Sequence, residues 1–85
     1  MDINTQQNSI ISEIVDHINK YLESNYVLTL VKKSGISRQI LQQLRNGEKN
    51  GISLITIIRL YNAMGYKVDQ IKLSKIKEEF EIEAK

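Results

Sequence analysis

The sequence contains no cysteine and no proline, and it has a single histidine, His17. Without cysteine the chain forms neither a disulfide nor a thiolate metal site, and one histidine excludes a histidine-rich metal site. No apolar run approaches the ~20 residues that a membrane-spanning helix needs. The first ten residues, MDINTQQNSI, lack the positive segment and the apolar run of a signal peptide. We therefore expect a cytoplasmic protein that needs no metal or other cofactor and no membrane.

The absence of proline, of internal repeats and of low-complexity linkers leaves no signal for a boundary between two domains. Eighty-five residues suffice for one small domain. We predict a flexible polar arm over residues 1–8, one helical domain over residues 9–76 and a charged tail over residues 77–85. No serine, acid pair or glycine-rich loop forms a catalytic or nucleotide-binding pattern, so an enzyme is not expected.

Basic residues are concentrated in the middle of the chain. Residues 32–67 contain seven lysines and arginines and one glutamate, which gives a net charge of +6. By the same count, residues 1–31 carry −3 and residues 68–85 carry −1. A basic central segment suits contact with phosphate groups. The alternative is a solvated basic face that has no function.

Apolar residues at steps of three and four predict helices in the first half of the chain. The first helix is expected from Ile10 to near Asn25. The next two flank Gly35, which supplies the backbone freedom for a sharp turn, and they cover residues 26–34 and 38–46. Asn25 and Ser37 are suited to cap these two helices, because their side chains accept hydrogen bonds from free backbone amides.

Two further helices are expected in the second half. Ser53 is a suitable cap for a nearly all-apolar helix that ends at Gly65. The segment that follows favours a fifth helix, capped near Asp69. Residues 66–73 also alternate enough to be compatible with a strand.

The third predicted helix places polar side chains on its outer face, among them Arg38, Gln39 and Gln43. Arginine fits O6 and N7 of guanine, and glutamine fits N6 and N7 of adenine, so these residues suit the major groove of DNA. Ile40 has two interpretations, which are contact with a thymine methyl group and partial burial against the preceding helix. The sequence therefore predicts a helix that reads DNA bases.

The segment LVKKSGISR, from Leu30 to Arg38, resembles the LAxxSGVSR signature of the Cro/CI-type (Xre) helix-turn-helix family. The sequence NGEK, from Asn46 to Lys49, is similar to the turn that follows the family's recognition helix. Similarity to the family's closing segment extends the resemblance to about residues 10–76. The resemblance implies an all-α, four- to five-helix bundle of the lambda-repressor-like type, which binds double-stranded DNA as a homodimer.

The resemblance also implies roles for individual residues. The N-terminal part of the second motif helix enters the major groove in this family. The base-reading residues implied are Arg38, Gln39 and Gln43, and contact with a thymine methyl group would add Ile40 to them. Phosphate contacts fix the register of the protein on DNA but carry no sequence information directly. The phosphate-binding residues implied are Ser37, Gln42, Arg45, Asn46 and Lys49.

Three positions depart from the family pattern. Val27 stands where a glutamine usually opens the second helix and contacts phosphate. Val31 replaces the alanine at the crossing of the two motif helices, and Tyr61 replaces a small residue on the fourth helix. The first departure removes an expected phosphate contact, whereas the other two alter the packing between helices.

The leading hypothesis is a transcriptional repressor of phage, plasmid or mobile-element type that binds a near-palindromic operator as a homodimer. One alternative is an antitoxin that also neutralises a protein partner through the tail or the arm. Another is a helix-turn-helix module that serves in protein interaction, such as an inhibitor. In the segment KIKEEFEIEAK, residues 75–85, Ile76 and Phe80 either cover the core of the bundle or form a seam for a dimer or another partner.

Overall fold

Short apolar stripes fold into five α-helices in the computed structural model of the protein, which describes residues 10–80. These are α1 (Ile10–Leu22), α2 (Val27–Ser34), α3 (Arg38–Arg45), α4 (Leu54–Ala63) and α5 (Gln70–Glu79). No strand occurs within residues 10–80, so the prediction of an all-helical fold is confirmed. None of these helices combines the length and the hydropathy that a membrane span requires. The predicted arm and residues 81–85 of the predicted tail lie outside the described residues.

One hydrophobic core receives side chains from all five helices. Ile14 and Ile18 of α1 and Leu44 of α3 are fully buried in it. α1 packs against α3 and α5, and α2 packs against α3 and α4, so α3 lies between two other helices. The other buried core residues are Ile10, Leu30, Ile36, Leu41, Ile52, Ile57, Leu60, Tyr61, Met64, Ile76 and Phe80.

The turn between α2 and α3 depends on a glycine with positive φ. Gly35 has a φ of 75°, which residues with a side chain rarely adopt, and its amide donates to the carbonyl of Val31 at 3.0 Å. The buried hydroxyl of Ser34 donates to the carbonyl of Leu30 at 2.7 Å and accepts from the amide of Ile36 at 3.2 Å. The Ser34 hydroxyl thus links α2 to the residues of the turn, and these hydrogen bonds fix the direction in which α3 leaves α2.

The predicted cap of α2 is wrong. The side-chain amide of Asn25 donates to the carbonyl of Tyr21 at 2.9 Å, so it closes the end of α1 instead. The last carbonyls of a helix lack partners within the helix, and a short amide side chain just beyond the end can reach back to them. Tyr26 takes the N-cap position of α2, and its side chain makes no capping hydrogen bond.

The other predicted caps are present. Ser37, Ser53 and Asp69 each accept a hydrogen bond from the backbone amide three residues later. The Asp69 carboxylate accepts from the amide of Lys72 at 2.9 Å, which starts α5 at Gln70. The fifth helix is therefore confirmed, and residues 66–69 form an irregular connection and not a strand.

The end of α5 belongs to the bundle. α5 continues past residue 76, and both Ile76 and Phe80 are buried, with 0% and 1% of their surface exposed. These two residues cover the core of their own bundle, so they do not form the exposed strip that was the other interpretation. Ile71, near the start of the same helix, is 70% exposed.

A polar cluster ties α1, α4 and α5 together around Tyr61. The Tyr61 hydroxyl lies 3.3 Å from Nδ1 of His17, and the Lys72 ammonium lies 5.4 Å from the Tyr61 ring centroid. Lys72 also donates to Glu13 at 2.9 Å. Burial raises the pKa of Tyr61, and the hydrogen bond from Lys72 lowers the pKa of Glu13. His17 is thus a half-buried boundary residue with a partner in α4.

Phe80→Ala is expected to lower the free energy of unfolding by about 3–5 kcal/mol, because removing a fully buried ring leaves a cavity. Urea denaturation followed by circular dichroism measures the change. Ile71→Ala is the control on the exposed side of α5, with an expected change of less than about 0.5 kcal/mol. Equal losses in the two variants would contradict the burial of the end of α5.

Candidate nucleic-acid interface

α3 separates apolar from polar side chains along its whole length. Leu41 and Leu44 point into the core, whereas polar side chains lie on the opposite, outward face. An α-helix with its side chains is about 10–12 Å across, which is close to the width of the major groove of B-DNA, about 12 Å. The residues of this outward face are Arg38, Gln39, Gln42, Gln43 and Asn46.

The three polar candidates for base reading share this outward face. Arg38 and Gln39 are exposed, and Gln43, one helical turn after Gln39, is half-buried. Together they present a guanidinium group and two carboxamide groups, the groups that form paired hydrogen bonds with guanine and adenine edges. The fold therefore brings these three predicted residues together on one surface.

Ile40 does not stand apart from the core. It is half-buried and packs against the core cluster. The reason is its place at the edge of the buried stripe, one helical turn before Leu44. Partial burial, the alternative interpretation, is what the structure shows. The contact with a thymine methyl group stays a prediction for the remaining exposed part of the side chain.

The start of α3 has a hydroxyl group that can donate. Ser37 accepts from the amide of Ile40 at 3.2 Å, and within residues 10–80 its hydroxyl donates no hydrogen bond, so it can donate to a phosphate oxygen. The first turns of α2, α3 and α4 contain no acidic side chain. The partial positive charge at these helix starts is therefore not neutralised locally by carboxylates, which favours a nearby anion.

The start of α2 has a different character. Val27, at the position where the family has a glutamine, is half-buried against the core. Its neighbours Tyr26 and Leu28 are 81% and 53% exposed. This part of the surface is thus apolar where the resemblance implies a phosphate contact.

Two backbone hydrogen bonds shape the loop after α3. The amide of Gly47 donates to the carbonyl of Leu44, and the amide of Glu48 donates to the carbonyl of Gln43, both at 2.9 Å. This pairing, with a φ of 81° at Gly47, is the Schellman ending of a helix. It turns the chain back along the end of α3 and places Lys49 beside the last helix.

Lys49, a predicted phosphate-binding residue, already has a partner. Its ammonium lies 3.2 Å from Oε1 of Glu79, in the last turn of α5. Glu79 is not among the predicted site residues, because it lies in the predicted tail, residues 77–85. The spacing of Ile76 and Phe80 is the signal that could have found it, since two buried anchors hold the acid between them against the bundle.

Two shallow clefts border the motif. One, of about 250 Å³, places Arg45 and Asn46 opposite Ser12 and Asp16 of α1, so an acid shares a cleft with a predicted phosphate-binding residue. The other, of about 490 Å³, lies between α2 and α4 and is lined by Lys33, Ser34, Arg59, Asn62, Ala63 and Gly65. Arg59 has no role predicted from sequence, because only tertiary packing brings it beside Lys33.

Comparison of the chain with family models, with curated proteins and with solved structures finds no match. Membership of the Cro/CI-type family, the homodimer and the residue roles therefore stay predictions. They rest on the sequence motif and on the geometry of α3.

Ser37→Ala is expected to lower the free energy of unfolding by about 1 kcal/mol, because the amide of Ile40 loses its acceptor. Ser37→Asp keeps an acceptor and adds a favourable charge at the helix start, so it should retain the stability of the wild type. Urea denaturation of both variants measures the difference. Equal destabilisation by the two substitutions would argue against a capping role.

Proposed function

We propose that the protein is a sequence-specific DNA-binding regulator of transcription whose α3 enters the major groove. The observation that carries the proposal is the outward face of α3. There Arg38, Gln39 and Gln43 stand opposite the buried Leu41 and Leu44. A short helix with a guanidinium group and carboxamides along its exposed side has the chemistry for direct reading of base edges.

Phosphate contacts on both sides of this helix complete the proposed interface. Ser37 precedes α3, while Arg45, Asn46 and Lys49 lie at its end and in the loop after it. Residues 32–67 carry a net charge of +6, and the first turns of α2 and α3 contain no acid. These features supply the sequence-independent attraction that protein–DNA binding requires.

The arrangement of the helices supports a fold of the lambda-repressor-like type. Three residues, 35–37, join α2 to α3, which is a usual length for a helix-turn-helix. α2 packs against both α3 and α4, which gives the motif a rigid support. We further propose that two copies place their α3 helices in successive major grooves, about 34 Å apart, on a near-palindromic operator. Occupation of a promoter would then repress transcription.

A helix-turn-helix that binds another protein is the second candidate. The observation that favours it is the exposed apolar pair Tyr26 and Leu28 at the start of α2, where a DNA-binding member would present a polar group to phosphate. Exposed aromatic and aliphatic side chains are more typical of protein interfaces than of DNA interfaces. Such a module would bind DNA without sequence preference or not at all.

Selection of bound duplexes from random DNA tests the proposal directly. We expect enrichment of a near-palindrome whose half-sites lie about one helical turn apart, centre to centre. The affinity for the enriched duplex should fall steeply between 50 and 200 mM salt, roughly in proportion to the number of phosphates neutralised. Retention of protein on DNA without enrichment, or no retention, would favour the protein-interaction module.

Arg38→Ala and Lys49→Ala are expected to act differently on the selected operator. Arg38→Ala should cost about 1–3 kcal/mol and relax the preference at one base pair, since it removes a paired contact to a base. Lys49→Ala should weaken binding to operator and random duplex alike. Fluorescence anisotropy with both duplexes measures the two effects. Arg59→Ala, with the same loss of charge as Arg38→Ala but in α4, is the control.

The expected result for Arg59→Ala is a small loss on both duplexes without a change of base preference. An Arg38→Ala variant with equal losses on operator and random DNA would overturn the assignment of Arg38 as a base reader.

A further inference from the structure

The ion pair between Lys49 and Glu79 joins the loop after α3 to the last turn of α5, 30 positions later in the chain. The Lys49 side chain is 42% exposed, and the Glu79 side chain is 23% exposed. The carboxylate is therefore the more fixed partner, held between the buried Ile76 and Phe80. The ammonium remains accessible from solvent on its other side.

The position of Glu79 is unfavourable for α5 as an isolated helix. The C-terminal end of a helix carries partial negative charge, so an acid in the last turn is repelled by the helix dipole. An exposed ion pair with Lys49 contributes little to the stability of a fold. The stability of the bundle thus gives no strong reason for this acid, and its effect falls mainly on the cation it contacts.

We infer that Glu79 competes with DNA phosphate for Lys49, so that the end of α5 weakens DNA binding without touching the bases. This inference rests on the proposed function. A phosphate that approaches Lys49 either displaces the carboxylate or binds close to a second negative charge, and both reduce the gain from the contact. Because phosphate contacts carry no sequence information, Glu79 lowers the affinity for operator and random DNA equally.

Glu79→Gln removes the charge and keeps the size of the side chain. Fluorescence anisotropy should show tighter binding of this variant to both duplexes, by about two- to fivefold per protomer, the range of an exposed ion pair. The dependence of affinity on salt should steepen toward one further counterion released per protomer. Glu78→Gln is the matched control, since it makes the same charge change at the exposed neighbouring position. It should give less than half of this gain.

The same two substitutions in a Lys49→Gln background separate direct competition from long-range charge. In that background, Glu79→Gln should raise the affinity for DNA no more than Glu78→Gln does. The competition would be overturned if Glu79→Gln gave its full gain in DNA affinity in the Lys49→Gln background. It would also be overturned if Glu79→Gln and Glu78→Gln gave equal gains in affinity when Lys49 is present. Weaker binding of Glu79→Gln would also overturn it, because the carboxylate would then be positioning Lys49 for phosphate.

Urea denaturation of the variants and DNA binding by the wild type distinguish these outcomes. Urea denaturation of every variant, with midpoints expected close to that of the wild type, shows that affinities are compared between folded proteins. Wild-type binding with no difference between Glu79→Gln and Glu78→Gln overturns this inference and leaves the proposed function standing. Absence of binding by the wild type and all variants, even at low salt, overturns both.

Discussion

The hydrogen-bonded turn at Ser34 and Gly35 is the constraint on which the rest of the molecule depends. It sets the direction of α3, and with it the face on which Leu41 and Leu44 are buried and the face on which Arg38 and Gln39 are exposed. A residue with a side chain at position 35 would be strained at a φ of 75°. This short connection therefore decides which side chains of α3 pack in the core and which are exposed.

Local signals in the sequence account for most of this architecture. Ser37, Ser53 and Asp69 start their helices where a capping side chain is expected, because an N-cap acts over three residues and needs no tertiary partner. The prediction for Asn25 is wrong because two helix ends compete for one side chain. The amide group of Asn25 satisfies the end of α1 and not the start of α2. Sequence rules for helix caps do not decide which of two neighbouring helix ends such a side chain will cap.

Features set by distant parts of the chain were harder to predict. The stripe of Ile76 and Phe80 is equally compatible with an internal core and with an external partner, and only the packing of α5 on α1 and α4 distinguishes them. The same limit applies to Glu79 and to the cleft that contains Lys33 and Arg59, since each depends on the approach of separate helices. For the candidate site, the outward face of α3 was predictable, whereas its electrostatic surroundings were not.

The absence of a side-chain cap on α2 has a consequence for the motif as a whole. α2 and α3 have eight residues each, below the ~12–15 that an isolated helix needs in water. Their helical form thus depends on the core, in which Leu30 and Leu44 are buried, and on the packing of α2 against α4 and of α3 against α1. Excised as a peptide or grafted onto another surface, residues 27–45 would therefore lose their helical structure. Residues 27–45 therefore fold only together with the rest of the bundle.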